Sequence, residues 1–274
     1  MIEKMQIHEH GHVALIDIMG DDHAIADAAR ISYGAGTKSV SDDRNLIRYL
    51  VRHKHTSPLE MVELKFGLKM PIFVARQHVR HRMASINEYS GRYSVMSDEF
   101  YTPQRDLIQK QSQANKQGRD GEFDGRDKDA ITWMLESSYE KAYQEYSHMI
   151  AKDVSRELAR LVLPVANYTE MYWKIDLHNF FHYIRLRMDP HAQQEIQDYA
   201  RAMYEMVKAR LPIACEAFED YILNSVTLSA SELRAVEDLT INTFRDDADY
   251  YGMGAREWRE FKQKWAKSIL QIRK

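Results

Sequence analysis

The chain has little of what marks several familiar classes of protein. Its 274 residues include a single cysteine, Cys215, so neither an intramolecular disulfide framework nor a cysteine-rich zinc site is possible. Neither sign of charge is in large excess, since the chain has 38 Lys and Arg residues and 41 Asp and Glu residues. A surface this close to neutrality is not the basic footprint of a nucleic-acid-binding protein, although a local basic patch is compatible with it.

Long hydrophobic runs are also lacking. No apolar stretch approaches the roughly 18 residues that span a bilayer. Residues 1–10 carry acids where a secretory leader has its apolar segment. We therefore expect a cytoplasmic protein that associates with neither membranes nor nucleic acids.

What the chain does have is enough apolar material for a core, with 44% hydrophobic and 11% aromatic residues. Short β-rich runs are mixed with more numerous amphipathic helical patterns, without βαβ alternation or a Gly-x-Gly-x-x-Gly loop. The sequence predicts an α+β fold of helices packed with a small sheet, as a single domain over residues 1–274. Asp22 is predicted to cap the first helix. Strands are predicted at 12–18, 62–70 and 166–175, and helices at 22–32, from 41 onward, 71–82, 131–151, 154–163, 177–187, 190–211 and 255–272.

Two segments differ from the rest in composition. Residues 104–130 are rich in Gln, Lys, Asp and Gly and contain few large apolar residues, so we expect a polar surface insertion there. Residues 229–274 carry no motif and are expected to form a helical C-terminal extension.

A basic cluster lies in the first half of the chain. Residues 76–82 hold three arginines and two histidines, which share faces at i, i+4 spacing in a helix that starts at Pro71. Such charges repel one another unless an anion or carboxylates lie among them, and guanidinium forks match phosphate oxygens in pairs. The segment 90–92 follows with a hydroxyl, a permissive glycine and another guanidinium. From these residues alone, a solvated basic face and a nucleotide site both remain open.

The segment 156–164 combines two arginines with apolar residues. Arg156 and Arg160 lie one turn apart on one face of the predicted helix, where an ion pair with Glu157 or a neighbouring acid is the simplest interpretation. The buried stripe of this helix is predicted to comprise Leu158, Leu161 and Val162.

The segment 172–193 contains aromatic, histidine and arginine residues. His178 and His182 have an i, i+4 spacing that can ligate zinc, but no third ligand is recognisable, so we predict no metal site. Histidines beside arginines and aromatic rings suit an anionic, planar ligand better. The residues predicted to pack inward are Phe180, Phe181 and Ile184.

Together these segments resemble one known family. Arg80-His81-Arg82, seven further residues and then Ser90 match the Arg-His-Arg-x7-Ser signature of the flavin-dependent thymidylate synthases. The resemblance implies reductive methylation of dUMP to dTMP, with 5,10-methylenetetrahydrofolate as carbon donor and NADPH supplying electrons through FAD. It also implies an α+β homotetramer whose active sites lie at subunit junctions. Segments similar to the same family, in the same order, are 55–58, 88–94, 156–164 and 186–193.

The resemblance further implies a set of site residues. Positions that match flavin contacts are Ser57, Arg80, His81, Arg82, Glu88, Asp176, His178 and His182. Positions that match the dUMP-binding set are Gln77, Arg80, Glu88, Ser90, Gly91, Arg92, Arg160 and Arg187. Arg187 matches the arginine placed against the uracil ring and is the implied catalytic residue.

The chemistry of these side chains suggests their roles. Arg92 and Arg160 can hold the dUMP phosphate, with Ser90 completing the shell. Arg187 stays protonated, so it can stabilise negative charge on the pyrimidine but cannot act as an ordinary base. Cys215 lies in an amphipathic stretch without an arginine cluster, so we predict a buried thiol that is not a nucleophile.

Two other functions remain open at this point. A flavin-dependent NADPH oxidase or reductase would share the flavin but would not need the phosphate set of Ser90, Arg92 and Arg160. An RNA-binding module using residues 76–92 would bind polynucleotides with a strong dependence on salt. The near-neutral net charge and the confinement of the basic residues to one segment favour the enzyme.

Overall fold

The computed structural model describes residues 3–32, 42–113, 116–227, 255 and 258–261. Contacts divide the chain into two units, Met1–Asn224 and Ser225–Lys274. In the second unit, residues 255 and 258–261 are helical, and the rings of Trp258 and Phe261 stack with centroids 5.3 Å apart. The rest of the helix predicted at 255–272 lies outside the described residues.

An antiparallel sheet of five strands lies at the centre of the first unit. The strands of the described residues are β1 (Glu3–Ile7), β2 (Gly11–Met19), β3 (Glu63–Pro71), β4 (Ser85–Glu88), β5 (Gln109–Gln111), β6 (Arg119–Glu122) and β7 (Tyr168–Asp176). The sheet has the order β1-β2-β3-β7-β4, while β5 and β6 form a separate hairpin. The three strands predicted from the sequence are confirmed as β2, β3 and β7.

Helices of very different lengths surround this sheet. Those of the described residues are α1 (Asp22–Arg30), α2 (Asp43–Arg52), α3 (Ser57–Glu60), α4 (Ile72–His78), α5 (Gly125–Ala151), α6 (Arg156–Ala159), α7 (Leu177–Arg187), α8 (Gln194–Lys208) and α9 (Pro212–Phe218). Helices α4, α7 and α8 pack against the large sheet. The mixture of helices with a small antiparallel sheet confirms the predicted α+β class.

The main core lies where α7 meets β3 and β7. Phe66 and Phe180 stack with ring centroids 5.7 Å apart, and Trp173 is fully buried beside them. Phe181 and Ile184 are also buried, so the predicted inward face of α7 is confirmed. Burial of these aromatic side chains contributes much of the stability of a domain this size.

The cap of α1 differs from the prediction by one residue. Asp21, not Asp22, is the N-cap, and its carboxylate accepts from the amide of Ala24. The Asp22 carboxylate instead accepts from the amides of Ile213 and Ala214, each at 2.9 Å. Asp22 therefore satisfies donors in the first turn of α9 and joins two distant helices.

The predicted polar insertion contains regular structure. It includes a 3₁₀ turn at Arg105–Leu107, the β5–β6 hairpin and the start of α5, which begins at Gly125 and not at Ile131. Ile108 is only 5% exposed. The segment is therefore polar in composition but packed against the rest of the first unit.

The predicted buried stripe of the segment 156–164 is wrong for both leucines, while Val162 is partly buried against the cluster that contains Ala159. Leu158 is 56% exposed and Leu161 is 75% exposed, while Ala159 is the residue of α6 that is buried. The helix ends after four residues and continues as a 3₁₀ turn at Arg160–Val162, so the side chains do not keep the α-helical spacing. Among the described helices, none combines the length and apolar character needed to cross a bilayer.

Candidate functional site

The basic cluster lies on a turn that follows α4. This helix ends at His78 instead of continuing to Arg82, and the amide of His81 bonds back to the carbonyl of His78 at 3.2 Å. The i, i+4 pairs expected between 76–78 and 80–82 therefore do not form along one helix. Arg80 and Arg82 are exposed on this turn.

Four of the predicted site residues meet between α4, this turn and α7. The Nε of Arg187, the last residue of α7, donates to Nε2 of His81 at 2.9 Å, and its Nη2 donates to the carbonyl of Gln77 at 3.2 Å. The ring of His182 lies 6.0 Å from that of His81. Residues from α4, the turn and α7 thus form one cluster around the Arg187 guanidinium.

His81 is uncharged in this cluster. Burial and the adjacent Arg187 charge, together with His182, lower the pKa of His81 to about 4. A neutral imidazole that accepts at Nε2 holds its proton on Nδ1. Arg187 is therefore oriented by a neutral partner and keeps its full positive charge.

His78 belongs to the core and not to the basic face. Its side chain is fully buried, its Nδ1 lies 3.1 Å from the Tyr183 hydroxyl, and its ring centroid is 4.3 Å from that of Trp173. Burial, with smaller contributions from His81 and Arg187, lowers the pKa of His78 to about 3. The positive charge of residues 76–82 therefore comes from the arginines alone.

A second cluster joins the segment 90–92 to the end of α6. A Cβ built on Gly91 would lie 2.9 Å from the Met96 sulfur and 3.3 Å from Cδ of Arg160. Only a glycine allows so close an approach, because a side chain would displace one of these neighbours. Gly91 therefore places Arg160 against the backbone of this segment.

The neighbours of Gly91 supply donors at the same place. The Ser90 Oγ accepts from the amide of Arg92 at 3.3 Å, and the Arg92 Nε lies 2.7 Å from the Glu157 carboxylate. The sequence predicts an ion pair between an arginine of the segment 156–164 and Glu157 or a neighbouring acid, whereas the structure pairs Glu157 with Arg92. Both members of this pair are exposed, so the bond is weak and exchangeable.

The remaining predicted residues lie on β4 and around the start of α7. Glu88 ends β4 and accepts from the Thr169 hydroxyl at 2.8 Å. Asp176 is the N-cap of α7 and accepts from the amide of Asn179 at 2.9 Å. His178 is the second residue of α7, and Ser57 begins α3, a helix that packs against α7.

The residues just described around the start of α7 lie at the opposite end of this helix from the cluster around Arg187. Ser57, Asp176 and His178 are near the start of α7, whereas the cluster around Arg187 is at its end. With a rise of about 1.5 Å per residue, the two ends are separated by about 15 Å along the helix axis. The structure therefore places one group of predicted site residues near each end of α7 and a further group around Gly91.

The donor chemistry of these groups fits anionic ligands. Within the part of the chain that the structure describes, Arg80, Arg82, Arg160 and Arg187 form no ion pair with an acidic side chain. Guanidinium groups left without carboxylates, beside a glycine that admits close approach, suit phosphate groups and an anionic ring. Such a donor set fits a flavin nucleotide and a nucleoside monophosphate.

Sequence reasoning missed Gln193. Its Oε1 accepts from Nε2 of Gln77 at 2.5 Å, which ties the residue before α8 to the cluster around Arg187. The only signal was its position at the end of the segment 186–193. Nothing in the residue type indicated a partner so distant in the sequence.

Comparison with known proteins gives consistent results. The family model described as "Thymidylate synthase complementing protein" matches residues 14–213. A flavin-dependent thymidylate synthase of Ehrlichia ruminantium is 48% identical over 262 residues, covering 95% of this chain and 87% of that protein. One from Thermus thermophilus is 49% identical over 257 residues, covering 93% of each protein. One from Dictyostelium discoideum is 46% identical over 269 residues, covering 95% of this chain and 86% of that protein.

Solved structures are also similar to this chain. The UMP/dUMP methylase PolB from Streptomyces cacaoi bound with 5-Br UMP matches with a TM-score of 0.70 and 32% identity, over 79% of this chain and 97% of that chain. The same enzyme bound with 5-Br dUMP matches with a TM-score of 0.71 and 30% identity, over 79% of this chain and 98% of that chain. The chain is thus similar in fold to a nucleotide methylase.

Proposed function

This chain belongs to the family of flavin-dependent thymidylate synthases, and from that premise we propose how it makes dTMP. It is a methyltransferase with a flavin cofactor. We add the reactants: FAD as the flavin, 5,10-methylenetetrahydrofolate as carbon donor and NADPH as electron donor. The methylene carbon goes to C5 of dUMP and is reduced to a methyl group by two electrons from NADPH. Tetrahydrofolate and NADP⁺ are the other products.

The observation that carries the proposal is the set of guanidinium groups without acidic partners around Gly91 and His81. We assign the Gly91 side of this set to the dUMP phosphate. Arg160 has no acidic partner among the described residues, and the exposed bond from Arg92 to Glu157 can be exchanged for a phosphate oxygen. Ser90 and the backbone beside Gly91 complete the shell.

We assign the uracil ring to Arg187. Its guanidinium has five N–H donors, of which one goes to His81 and one to the Gln77 carbonyl, so three remain for a ligand. Because His81 is neutral, it orients Arg187 without compensating its charge. The free donors then stabilise negative charge on the pyrimidine oxygen or N3, which makes C5 more nucleophilic.

Residues from both ends of α7 would hold FAD. These are Ser57, Arg80, His81, Arg82, Glu88, Asp176, His178 and His182. A bound flavin supplies the redox chemistry that turns the transferred carbon into a methyl group. Gln77 and Glu88 are assigned to the dUMP side of the same site. The protein's contribution is to hold the reactants against one another, with Arg80 and Arg82 binding phosphate groups.

A cysteine nucleophile has no place in this scheme. Cys215 is fully buried in α9, and burial raises the pKa of its thiol to about 12. Such a thiol is not ionised at neutral pH and does not reach substrate. The carbon is therefore transferred to dUMP without covalent attachment of the nucleotide to this cysteine.

We propose that the enzyme is a cytoplasmic homotetramer with active sites at subunit junctions. The two groups of site residues about 15 Å apart along α7 support this, since a second copy can complete each of them. Exposed apolar side chains beside the site also support it, because monomers rarely leave such residues uncovered. They include Met83, Tyr89, Tyr93, Leu158, Leu161 and Tyr172.

The proposal is tested by comparing two variants for dTMP formation. We expect Arg187→Ala to lower the rate of dTMP formation by about 100-fold or more, because a donor aimed at developing charge is lost. Cys215→Ala should retain most of the activity. The measurement is chromatographic detection of dTMP with FAD-loaded protein, dUMP, methylenetetrahydrofolate and NADPH. Loss of activity in a folded, FAD-loaded Cys215→Ala protein would show the mechanism to be wrong.

A further inference from the structure

The hairpin within the polar insertion is anchored to α8 by an ion pair with a buried carboxylate. Nη2 of Arg119, at the start of β6, donates to Oε1 of Glu195 at 3.1 Å. The hydroxyl of Tyr101 donates to the same oxygen at 2.8 Å. Glu195 is only 1% exposed, whereas the Arg119 side chain is 29% exposed. A carboxylate buried this deeply needs its donors to remain in place, because a buried polar group without partners is costly.

The anchored residue lies next to the site cluster. Glu195 is the second residue of α8, and Gln193 immediately precedes that helix. The Gln193 side chain does not cap α8 but accepts from Gln77 at 2.5 Å. The carbonyl of Gln77 in turn accepts from Nη2 of Arg187 at 3.2 Å. The hairpin is therefore linked to Arg187 through Glu195, through Gln193 two residues earlier, and through Gln77. The side chain of Gln77 bonds to Gln193 and its backbone carbonyl bonds to Arg187.

We propose that Arg119 and Glu195 are positioning residues for Arg187 and Gln77, which rests on the function proposed above. The ion pair of Arg119 with the buried Glu195 fixes the first turn of α8. That turn fixes Gln193, and Gln193 holds Gln77 against Arg187. Without Arg119, the Glu195 carboxylate moves towards water, the first turn of α8 shifts, and the contact of Gln193 with Gln77 loosens. The insertion thereby serves catalysis at a site that none of its residues touches.

The first test separates this role from general stabilisation of the hairpin. Arg119→Gln should lower kcat for dTMP formation about tenfold with little change in KM for NADPH or in FAD content, because a small misplacement of Arg187 affects the transition state most. Arg119→Lys should restore part of the loss. The matched control is Lys128→Gln, which removes the 2.5 Å contact of Lys128 with Glu122 on the same hairpin but leaves α8 untouched. It should retain the kcat of the parent protein.

The second test asks whether the effect passes through Gln193. Gln193 is exposed, so Gln193→Ala should fold normally and should lower kcat by the same factor as Arg119→Gln. The double variant should be no worse than either single one, since both changes break the same link. Losses that multiply would overturn the proposal. An unchanged Gln193→Ala enzyme would overturn it even if the Arg119 variant fails to fold.

Failure of the proposed function is distinguishable from failure of this inference. If the parent protein forms no dTMP, the proposed reaction is wrong, and the inference is then judged on dUMP binding measured by calorimetry. We expect Arg119→Gln and Gln193→Ala to weaken dUMP binding by equal factors while Lys128→Gln does not. Unequal or absent effects would overturn the inference.

Discussion

His78 and His81 are three residues apart, but they serve the site in different ways. His81 contacts Arg187 directly and, being neutral, leaves its charge available. His78 lies behind it, fully buried between Trp173 and Tyr183. At the scale of residues, the site therefore combines arginines that face solvent with histidines that are kept uncharged by burial.

This arrangement predicts a dependence of stability on pH. The pKa of His78 is about 3 in the folded protein, against an ordinary value of 6.5, so the unfolded chain takes up a proton first as pH falls. The stability that depends on keeping His78 neutral is therefore present above pH 6.5 and is lost as pH falls from there towards 3. His78→Gln removes this titration while keeping an acceptor for Tyr183.

Chemical unfolding at several pH values measures this effect. The difference in free energy of unfolding between the parent protein and His78→Gln should shrink by about 1.4 kcal/mol per pH unit below pH 6.5. A difference that stays constant from pH 7 to pH 4 would contradict the neutral state of His78.

At the scale of elements, the close contact between the segment 90–92 and the 3₁₀ turn after α6 positions Arg160. Gly91→Ala should push Arg160 or Met96 aside, because the new Cβ would lie 3.3 and 2.9 Å from them. We expect the Kd for dUMP to rise about tenfold, the loss of one charge-assisted hydrogen bond to phosphate. FAD content should not change.

Gly67→Ala is the control for this prediction. Its Cβ would lie 3.2 Å from the Ile16 side chain on the large sheet, a crowding that involves none of the residues assigned to dUMP. Calorimetric titration with dUMP should separate the two variants. Equal effects on dUMP binding would mean that crowding destabilises the fold in general and that Gly91 does not position Arg160.

The elements around the site differ in how well the sequence predicts them. Alternating apolar residues predict β3, and the inward face of α7 follows from its i, i+3 and i+4 pattern. The end of α4 at His78 has no such signal, since residues 79–82 contain neither glycine nor proline. It depends on burial of His78 against Trp173, a contact between distant parts of the chain. The partners of Arg187 and Gln77 were not predictable for the same reason.

The leucines of α6 and of the 3₁₀ turn that follows it show a different limit. Their spacing indicates a buried stripe, yet Leu158 and Leu161 are exposed in the single chain. A pattern of apolar residues predicts that one face of a helix is covered, but it does not show whether the same chain or a second copy covers that face. The site residues were thus easier to identify from the sequence than the packed surfaces that bring those residues together.

At the scale of the whole molecule, the proposed tetramer makes a direct prediction. Leu161→Lys places a charge on a side chain that is 75% exposed beside Arg160 and should disrupt the assembly. We expect light scattering to show a species smaller than a tetramer, with loss of dTMP formation because the sites are completed by other subunits. Met19→Lys, at a residue 60% exposed on β2, should leave the mass unchanged. A Leu161→Lys protein that keeps the parent's mass and activity would argue against an interface at α6.

The most direct test of the central claim is an anaerobic single turnover. FAD-loaded protein is reduced with NADPH, dUMP and methylenetetrahydrofolate are added, and dTMP is quantified by chromatography while flavin absorbance is recorded. We predict one dTMP for each flavin that becomes reoxidised, and none from protein stripped of FAD. Reduced flavin that persists with both substrates present, and no dTMP, would contradict thymidylate synthesis and favour an NADPH oxidase or reductase.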